Sequence, residues 1–271
     1  MVRPGGEAAG TVSMGFLDRW SRKAARGPEP AALRDYRLPT SLIRLAAIGD
    51  IHGRADLLER MFVSLDTCAQ DGGPPIGEIY LGDYIDRGPE SARVIELLIA
   101  RIASRHAVVT LMGNHEQMLL ESLVDDEAFA AWLSYGGRQT VAAYLGPELM
   151  RDTPLDQLRE RFAAAFPPAH RAFLEGLRQS VSYKGFFFVH AGVRPGVDLA
   201  MQSPQDLLWI REPFHSHGGD FGALIVHGHT PDREPHLLQN RICIDTGAFH
   251  TGRLTGILFA GDGARLLQVE T

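Results

Sequence analysis

The stretch EIYLGDYIDRGPESARVIELLIARIAS, Glu78 to Ser104, decides the fold. EIYLGD is a short apolar run ending in Gly-Asp, and ESARVIELLIARIAS carries its apolar residues at helical spacing. Together they predict a strand, a polar turn and a helix. The same succession stands upstream, where LIRLAAIGD, from Leu42, leads into the helically spaced ADLLERMFVSLDTCA. HAVVTLMGN, His106 to Asn114, is a third run of the first kind. Strands alternating with helices imply an α/β fold with much parallel sheet. Residues 117–180 read as mostly helical, with a break at Ser134-Tyr135-Gly136-Gly137 and punctuation at Pro154 and Pro167-Pro168. Strand texture returns in GFFFVHAG, ALIVHGHT, RICIDTG, RLTGILFA and ARLLQVE, a second, β-rich half.

Composition bounds the function. The 271 residues are 45% hydrophobic and 22% charged, ordinary for a globular protein. A net charge of -6 argues against general nucleic-acid binding. It leaves anionic substrates open, because a few arginines and a metal reverse the field locally. No run of eighteen apolar residues exists and the N-terminus lacks an apolar h-region. The expectation is a cytoplasmic protein with no transmembrane segment. Cys68 and Cys243 are the only cysteines and are expected as free thiols. Residues 1–40 read as a disordered tail, and 41–271 as the folded domain. Within the tail, Met14–Arg26 has the makings of a short basic amphipathic helix, with Phe16, Leu17 and Trp20 as its apolar side. Such a helix suits weak contact with a membrane surface or a partner, although a frayed segment of that length is the plainer expectation.

The chemistry stands at strand ends. Gly49-Asp50-Ile51-His52-Gly53, Gly82-Asp83-Tyr84-Ile85-Asp86-Arg87-Gly88, Gly113-Asn114-His115-Glu116, His190-Ala191-Gly192 and His227-Gly228-His229-Thr230 each follow a predicted strand. Open α/β sheets bind ligands beyond the carboxyl ends of their strands. Singly, each piece has an ordinary reading: a capping Asp, a helix-start Asn and Glu, a core histidine, a turn. Jointly they gather carboxylates, an amide and imidazoles with no thiolate. Six mixed nitrogen and oxygen ligands exceed one tetrahedral zinc and suit two adjacent ions sharing a carboxylate. Two ions roughly 3.5–4 Å apart hold a bridging hydroxide and clamp an in-line displacement, which points to phosphate-ester hydrolysis.

GDIHG, GDYIDRG, GNHE, HAG and GHT, in that order, resemble the calcineurin-like metallophosphoesterases, and more narrowly the phosphoprotein phosphatase branch with its bacterial and phage serine/threonine phosphatases. GDYIDRG is the most specific of the five, and the likeness spans about residues 43 to 260. The resemblance implies two mixed β-sheets in a sandwich flanked by helices, with residues 117–180 as a helical cap. It also implies two divalent metal ions, with manganese expected and iron or zinc compatible. By that likeness Asp50 and His52 hold the first ion, Asp83 bridges, and Asn114, His190 and His229 complete the second. His115 is the general acid, Asp86 holds its imidazole, and Arg87 forks onto phosphate oxygens. Leu208-Trp209-Ile210-Arg211-Glu212 is similar to an element of the bacterial members, which makes Arg211 a second phosphate clamp. Asp245-Thr246-Gly247-Ala248 is similar to a loop near the site and receives only a positional role.

The leading expectation is a phosphomonoesterase acting on phosphoserine or phosphothreonine in proteins through a metal-bridging hydroxide. A symmetric diadenosine tetraphosphate hydrolase is the alternative, and a small phosphorylated metabolite is a third substrate class. Trp132 and Tyr135 suit base stacking but are equally at home in a cap core. A non-catalytic phosphopeptide scaffold is disfavoured because all six ligands, His115, Asp86 and Arg87 are present. The wider group often shows Gly-His-x-His at the last strand end. Here Gly228-His229-Thr230-Pro231 has proline at the second histidine position. His229 is therefore the expected ligand. His227 is not the missing partner, though a shared face with His229 leaves a contact beside the metals or the substrate open.

Overall fold

The computed structural model describes residues 11–12, 44–70, 73–105, 107–261 and 263–271. The Met14–Arg26 segment lies outside the described residues. Thr11–Val12, read above as part of a disordered tail, instead forms a two-residue strand (β1) paired with Arg265 and Ala264. The edge of a sheet offers unpaired backbone groups to any passing segment, and composition alone does not reveal that pairing.

The predicted alternation is present. β2 (Arg44–Ile48), α1 (Ala55–Ala69), β3 (Ile76–Tyr80), α2 (Ser91–Ser104) and β4 (Val108–Thr110) run in succession. Strands β2, β3 and β4 are parallel neighbours. After them α3 (Asn114–Ser122), α4 (Asp126–Trp132), α5 (Arg138–Leu145), α6 (Pro147–Asp152), α7 (Leu155–Ala165) and α8 (Pro168–Glu175) form a helical stretch. The expected break falls between α4 and α5, where Leu133–Gly137 is π-helical and Gly136 takes φ 118°. Then come β5 (Ser180–Tyr183), β6 (Phe186–Val189), α9 (Pro204–Trp209), β7 (Leu224–His227), β8 (His236–Leu237), β9 (Arg241–Cys243), α10 (Ala248–Thr251), β10 (Arg253–Ala260) and β11 (Gly263–Glu270).

Two mixed sheets result, ordered β1-β11-β10-β2-β3-β4 and β5-β6-β7-β9-β8. Their strands read as near-continuous apolar runs because both faces are covered. Leu45, Ala47 and Ile79 meet Phe188, Leu224 and Val226 between the sheets. Ala46, Ile48 and Tyr80 point the other way, into a helical layer that includes Leu57, Leu58, Val94 and Leu98. On the outer face of the second sheet, Phe187, Val189 and Ile225 pack with Leu207, Ile210 and Phe214. Alternation along β7 thus sends Ile225, and with it His227, to the outer layer. Both cysteines are free thiols. Among the described residues no helix is long and apolar enough to cross a membrane.

Candidate metal centre and active site

The strand ends on which the expected ligands stand converge. Ile51 and His52 donate their backbone N–H to Asp83 O at 3.0 and 2.8 Å, Gly53 to Tyr84 O at 2.8 Å, and Gly228 to His190 O at 2.8 Å. Glu116 braces two loops at once. Its carboxylate accepts from Asp83 N and Gly113 N at 2.9 Å and from Tyr84 N at 2.8 Å. Such tight joints demand unusual backbone. Among the described residues six non-glycine positions have positive φ, and five of them are His52, Asp83, Asp86, Arg87 and His229. Left-handed backbone costs free energy for such residues, and the surrounding bonds hold it in place. Gly113 and Gly228 answer a different need, close approach. A Cβ on Gly113 would strike Asp83 Oδ1, and one on Gly228 would strike Asp50 Oδ1.

Side chains of the two expected metal positions meet around Asp83. Ligand atoms of His52, Asp83 and His115 lie within 4.8 Å of one another, as do those of Asp83, His190 and His229. Asp83 Oδ2 is 3.4 Å from His52 Nε2 and 3.9 Å from His115 Nε2, while Oδ1 is 3.4 Å from His190 Nε2. Asn114 Oδ1 stands 2.9 Å from both His190 Nε2 and His229 Nδ1. Asp50 accepts from His229 N through Oδ2 at 3.0 Å, and its buried Oδ1 has no partner.

This donor set fits divalent cations. His190 donates through Nδ1 to Leu81 O at 3.0 Å, so its Nε2 presents a lone pair to Asn114 Oδ1, itself an acceptor. His52 does the same, with Nδ1 on Ile85 O at 2.8 Å and Nε2 facing Asp83. Acceptor against acceptor is an arrangement that a cation resolves, and a backbone bond at the other ring nitrogen fixes the ligating tautomer. Burial pushes the pKa of His52 and His190 down, and that of His229 down to about 3, which favours the neutral ring that ligation needs. Asp50, Asp83 and Asp245 are buried close together. Burial, then the Asp245 and Asp83 charges, raise the Asp50 pKa, and burial raises Asp245 to about 6. Three buried carboxyl groups call for positive charge beyond the neighbouring Arg87.

His115 is tuned in the opposite sense. Burial opposes its charging, but the Asp83 charge and the Asp86 hydrogen bond outweigh that and raise its pKa. Its Nδ1 donates to Asp86 Oδ2 at 2.6 Å, and its buried Nε2 has no partner. Asp86 is fixed in turn by Trp132 Nε1 at 2.7 Å and Thr140 Oγ1 at 2.5 Å. Trp132 is fully buried against Phe129 and Phe162. It belongs to the core and to the support of Asp86, not to a base-stacking surface. Tyr135, in contrast, is 53% exposed and meets Trp209 edge-on at 6.4 Å, and Trp209 meets His229 edge-on at 6.4 Å.

Arg87 donates to His52 Nε2 at 3.0 Å and lies over the Phe249 ring at 4.9 Å. Arg211 is exposed beyond α9, makes no ion pair among the described residues, and its charge is felt by His229 and His215. His227 lies elsewhere. Its ring packs edge-on against Phe214 at 4.9 Å on the outer face of the second sheet, away from the Asp83 clusters. A face shared with His229 is therefore ruled out, because the strand ends at His227 and His229 takes φ 67°. Sequence reasoning did not single out Glu116, Trp132 or Thr140 as supports of the site. Glu116 left one signal, three residues into a helix that starts at Asn114, where its side chain caps Gly113 N. Thr140 left none.

A family model described as calcineurin-like phosphoesterase matches residues 43–260. The bis(5'-nucleosyl)-tetraphosphatase PrpE [asymmetrical] of Bacillus mycoides (strain KBAB4) is 27% identical over 233 residues, covering 78% of this chain and 89% of that protein. The protein of the same name from Bacillus thuringiensis (strain Al Hakam) is 29% identical over 230 residues, with the same coverage. Among solved structures, a candidate diadenosine tetraphosphatase aligns with TM-score 0.60 at 20% identity, over 86% of this chain and 96% of its own. A protein serine/threonine phosphatase from Saccharomyces cerevisiae, similar to human phosphatase PP5, aligns with TM-score 0.54 at 13% identity, over 95% and 89%. These two likenesses carry the fold.

Proposed function

The chain belongs to the calcineurin-like phosphoesterase family and is a hydrolase, and from that premise we propose that its substrates are dinucleoside polyphosphates. The observation that carries this reading is the aromatic wall of Tyr135 and Trp209, which runs from His229 to the surface. A nucleobase stacks on such a wall, whereas the seryl or threonyl group of a phosphoprotein offers no ring. The relatives named bis(5'-nucleosyl)-tetraphosphatase, matched over 89% of their length, support the same substrate class.

In this reading Asp50, His52 and Asp83 hold one divalent ion, and Asp83, Asn114, His190 and His229 hold a second. Bound there, the two ions supply Lewis acidity and an activated water. Arg87 and Arg211 clamp the phosphate, their guanidinium forks matching its oxygens. Arg87 meets His52 Nε2, the nitrogen that would face a bound ion, and with that nitrogen on an ion the guanidinium would be free for the phosphate. His115 gives the proton on Nε2 to the departing oxygen, and Asp86 keeps the ring oriented and its basicity high.

A serine/threonine protein phosphatase remains the second reading, favoured by GDYIDRG and by Pro231 in place of a further histidine. The test is kcat/KM of the Mn²⁺-loaded protein on diadenosine tetraphosphate and on a phosphothreonine peptide. Preference for the dinucleotide is expected. The relatives' name specifies asymmetrical cleavage, so ATP and AMP are the expected products, not the two ADP of a symmetric cut. Preference for the peptide would overturn the substrate assignment.

A further inference from the structure

We propose that Phe249 and Gly136 are the positioning residues of Arg87, holding its guanidinium where the phosphate of the substrate binds. This rests on the reading of Arg87 as a phosphate clamp. An arginine side chain is long and loses much rotamer freedom when it is fixed, so something must hold it. Among the described residues Arg87 makes no ion pair, and its guanidinium meets His52 Nε2 at 3.0 Å and the Phe249 ring at 4.9 Å. With the histidine nitrogen on an ion, the ring is what remains. The face of an aromatic ring attracts a cation. Phe249 is half-buried yet joins none of the apolar clusters among the described residues. Besides Arg87 its ring meets His52 at 5.4 Å and His250 at 4.7 Å, so core packing does not account for it. The turn that presents it is itself fixed. Gly247 N donates to Asp245 Oδ1 at 2.9 Å, and Arg54, paired with Asp56, donates to Ala248 O at 2.8 Å.

Gly136 holds the other end of the arginine. Asp86 and Arg87 take φ 71° and 66° in succession, backbone that costs free energy unless its surroundings hold it. Arg87 N donates to Gly136 O at 3.1 Å, and Gly136 itself stands at φ 118°. A Cβ there would lie 2.9 Å from Arg87 Cγ, so the arginine stem runs against the glycine and a side chain would push it aside. The turn that carries Gly136 is π-helical, an irregularity that recurs at functional sites. Two separate segments thus fix the backbone end and the guanidinium end of one side chain. Held this way it faces the centre, and its charge is felt by Asp50, His52, His115, His190 and Asp245.

The experiment is titration calorimetry of inorganic phosphate into the Mn²⁺-loaded full chain, with metal content measured in every variant. Inorganic phosphate carries no base, so a ring that served only as a stacking platform would leave its binding unchanged. Phe249→Leu should keep the metal content of the wild type and bind phosphate about threefold to tenfold more weakly. Phe249→Tyr keeps the ring and should bind phosphate as the wild type does. Gly136→Ala should lose at least as much as Phe249→Leu. Its backbone is strained, so Phe249→Leu, which leaves the backbone alone, decides the test if Gly136→Ala does not fold. Arg87→Ala should bind phosphate about 10–100-fold more weakly. Adding Phe249→Leu to Arg87→Ala should weaken it no further, because the ring acts through the arginine. Undiminished phosphate binding in Phe249→Leu, an equal loss in both backgrounds, or a loss of metal would overturn the proposal while leaving the clamp intact. Wild-type phosphate binding in Arg87→Ala would remove the clamp reading, and the proposal with it.

Discussion

His115 is held by Asp86 at 2.6 Å through Nδ1, and the Nε2 at the far end of its ring is buried without a partner. A general acid in waiting has this geometry, anchored at one nitrogen and open at the other. His115→Asn should therefore retain both metal ions while turnover on poorly activated phosphoesters falls about 10²–10⁴-fold. On p-nitrophenyl phosphate, whose leaving group needs little protonation, the fall should be much smaller. Equal losses on both substrates, or a loss of metal, would place His115 among the ligands.

Trp132 supports the proposed acid from behind, donating to the same Asp86 oxygen at 2.7 Å. Trp132→Phe keeps an aromatic ring in the core but deletes that donor. Turnover on alkyl phosphates should drop roughly tenfold, about one hydrogen bond's worth. KM for diadenosine tetraphosphate should stay near the wild-type value, since the ring is buried and does not stack on a base. A rise in KM with kcat unchanged would return Trp132 to the substrate.

Gly228 is tied to Asp50, because a methyl at Gly228 would collide with Asp50 Oδ1. Gly228→Ala should displace that carboxylate and weaken the first ion roughly 10–100-fold, as losses around metal ligands do. Calorimetric titration of Mn²⁺ into the metal-free protein checks it. Two undiminished binding steps would show that Asp50 does not serve the first ion.

Asp206 secures the helix that carries Trp209. Its carboxylate bonds Arg194 at 2.6 and 2.9 Å and Ser203 Oγ at 2.8 Å. The Arg194 hydrogen bond holds its pKa below the ordinary 3.8. A depressed carboxylate pKa stabilises the fold above the unfolded-state value, and that stabilisation is lost as pH falls through the folded-state value. Asp206→Asn should lower Tm at pH 7, and the gap to wild type should close below about pH 4. A gap that persists undiminished into that range would mean that packing, not charge, accounts for the difference.

Periodicity made most of the fold legible. ADLLERMFVSLDTCA, predicted as a helix, is α1 from Ala55 to Ala69, and the three N-terminal apolar runs are β2, β3 and β4. The convergence of the candidate site was legible because its residues sit at strand ends, where an α/β fold brings them together wherever they fall in sequence. His227 was only half legible. Period-2 alternation gives its face, yet where the strand stops depends on the left-handed turn at His229. Trp132 and Thr140 could not be read at all in their supporting role. They stand 46 and 54 residues from Asp86, and only the packing of the helical stretch brings them to it. The pairing of Thr11–Val12 with β11 was equally hidden, because an edge accepts a partner by backbone alone.

The central claim is that Asp83 is shared by two divalent ions. Metal analysis of the purified wild type and of Asp83→Asn, each reconstituted with Mn²⁺, tests it most directly. The wild type should hold two ions per chain, and Asp83→Asn should lose at least one, together with activity on p-nitrophenyl phosphate. Two tightly bound ions in Asp83→Asn, or a single ion in the wild type, would contradict the account.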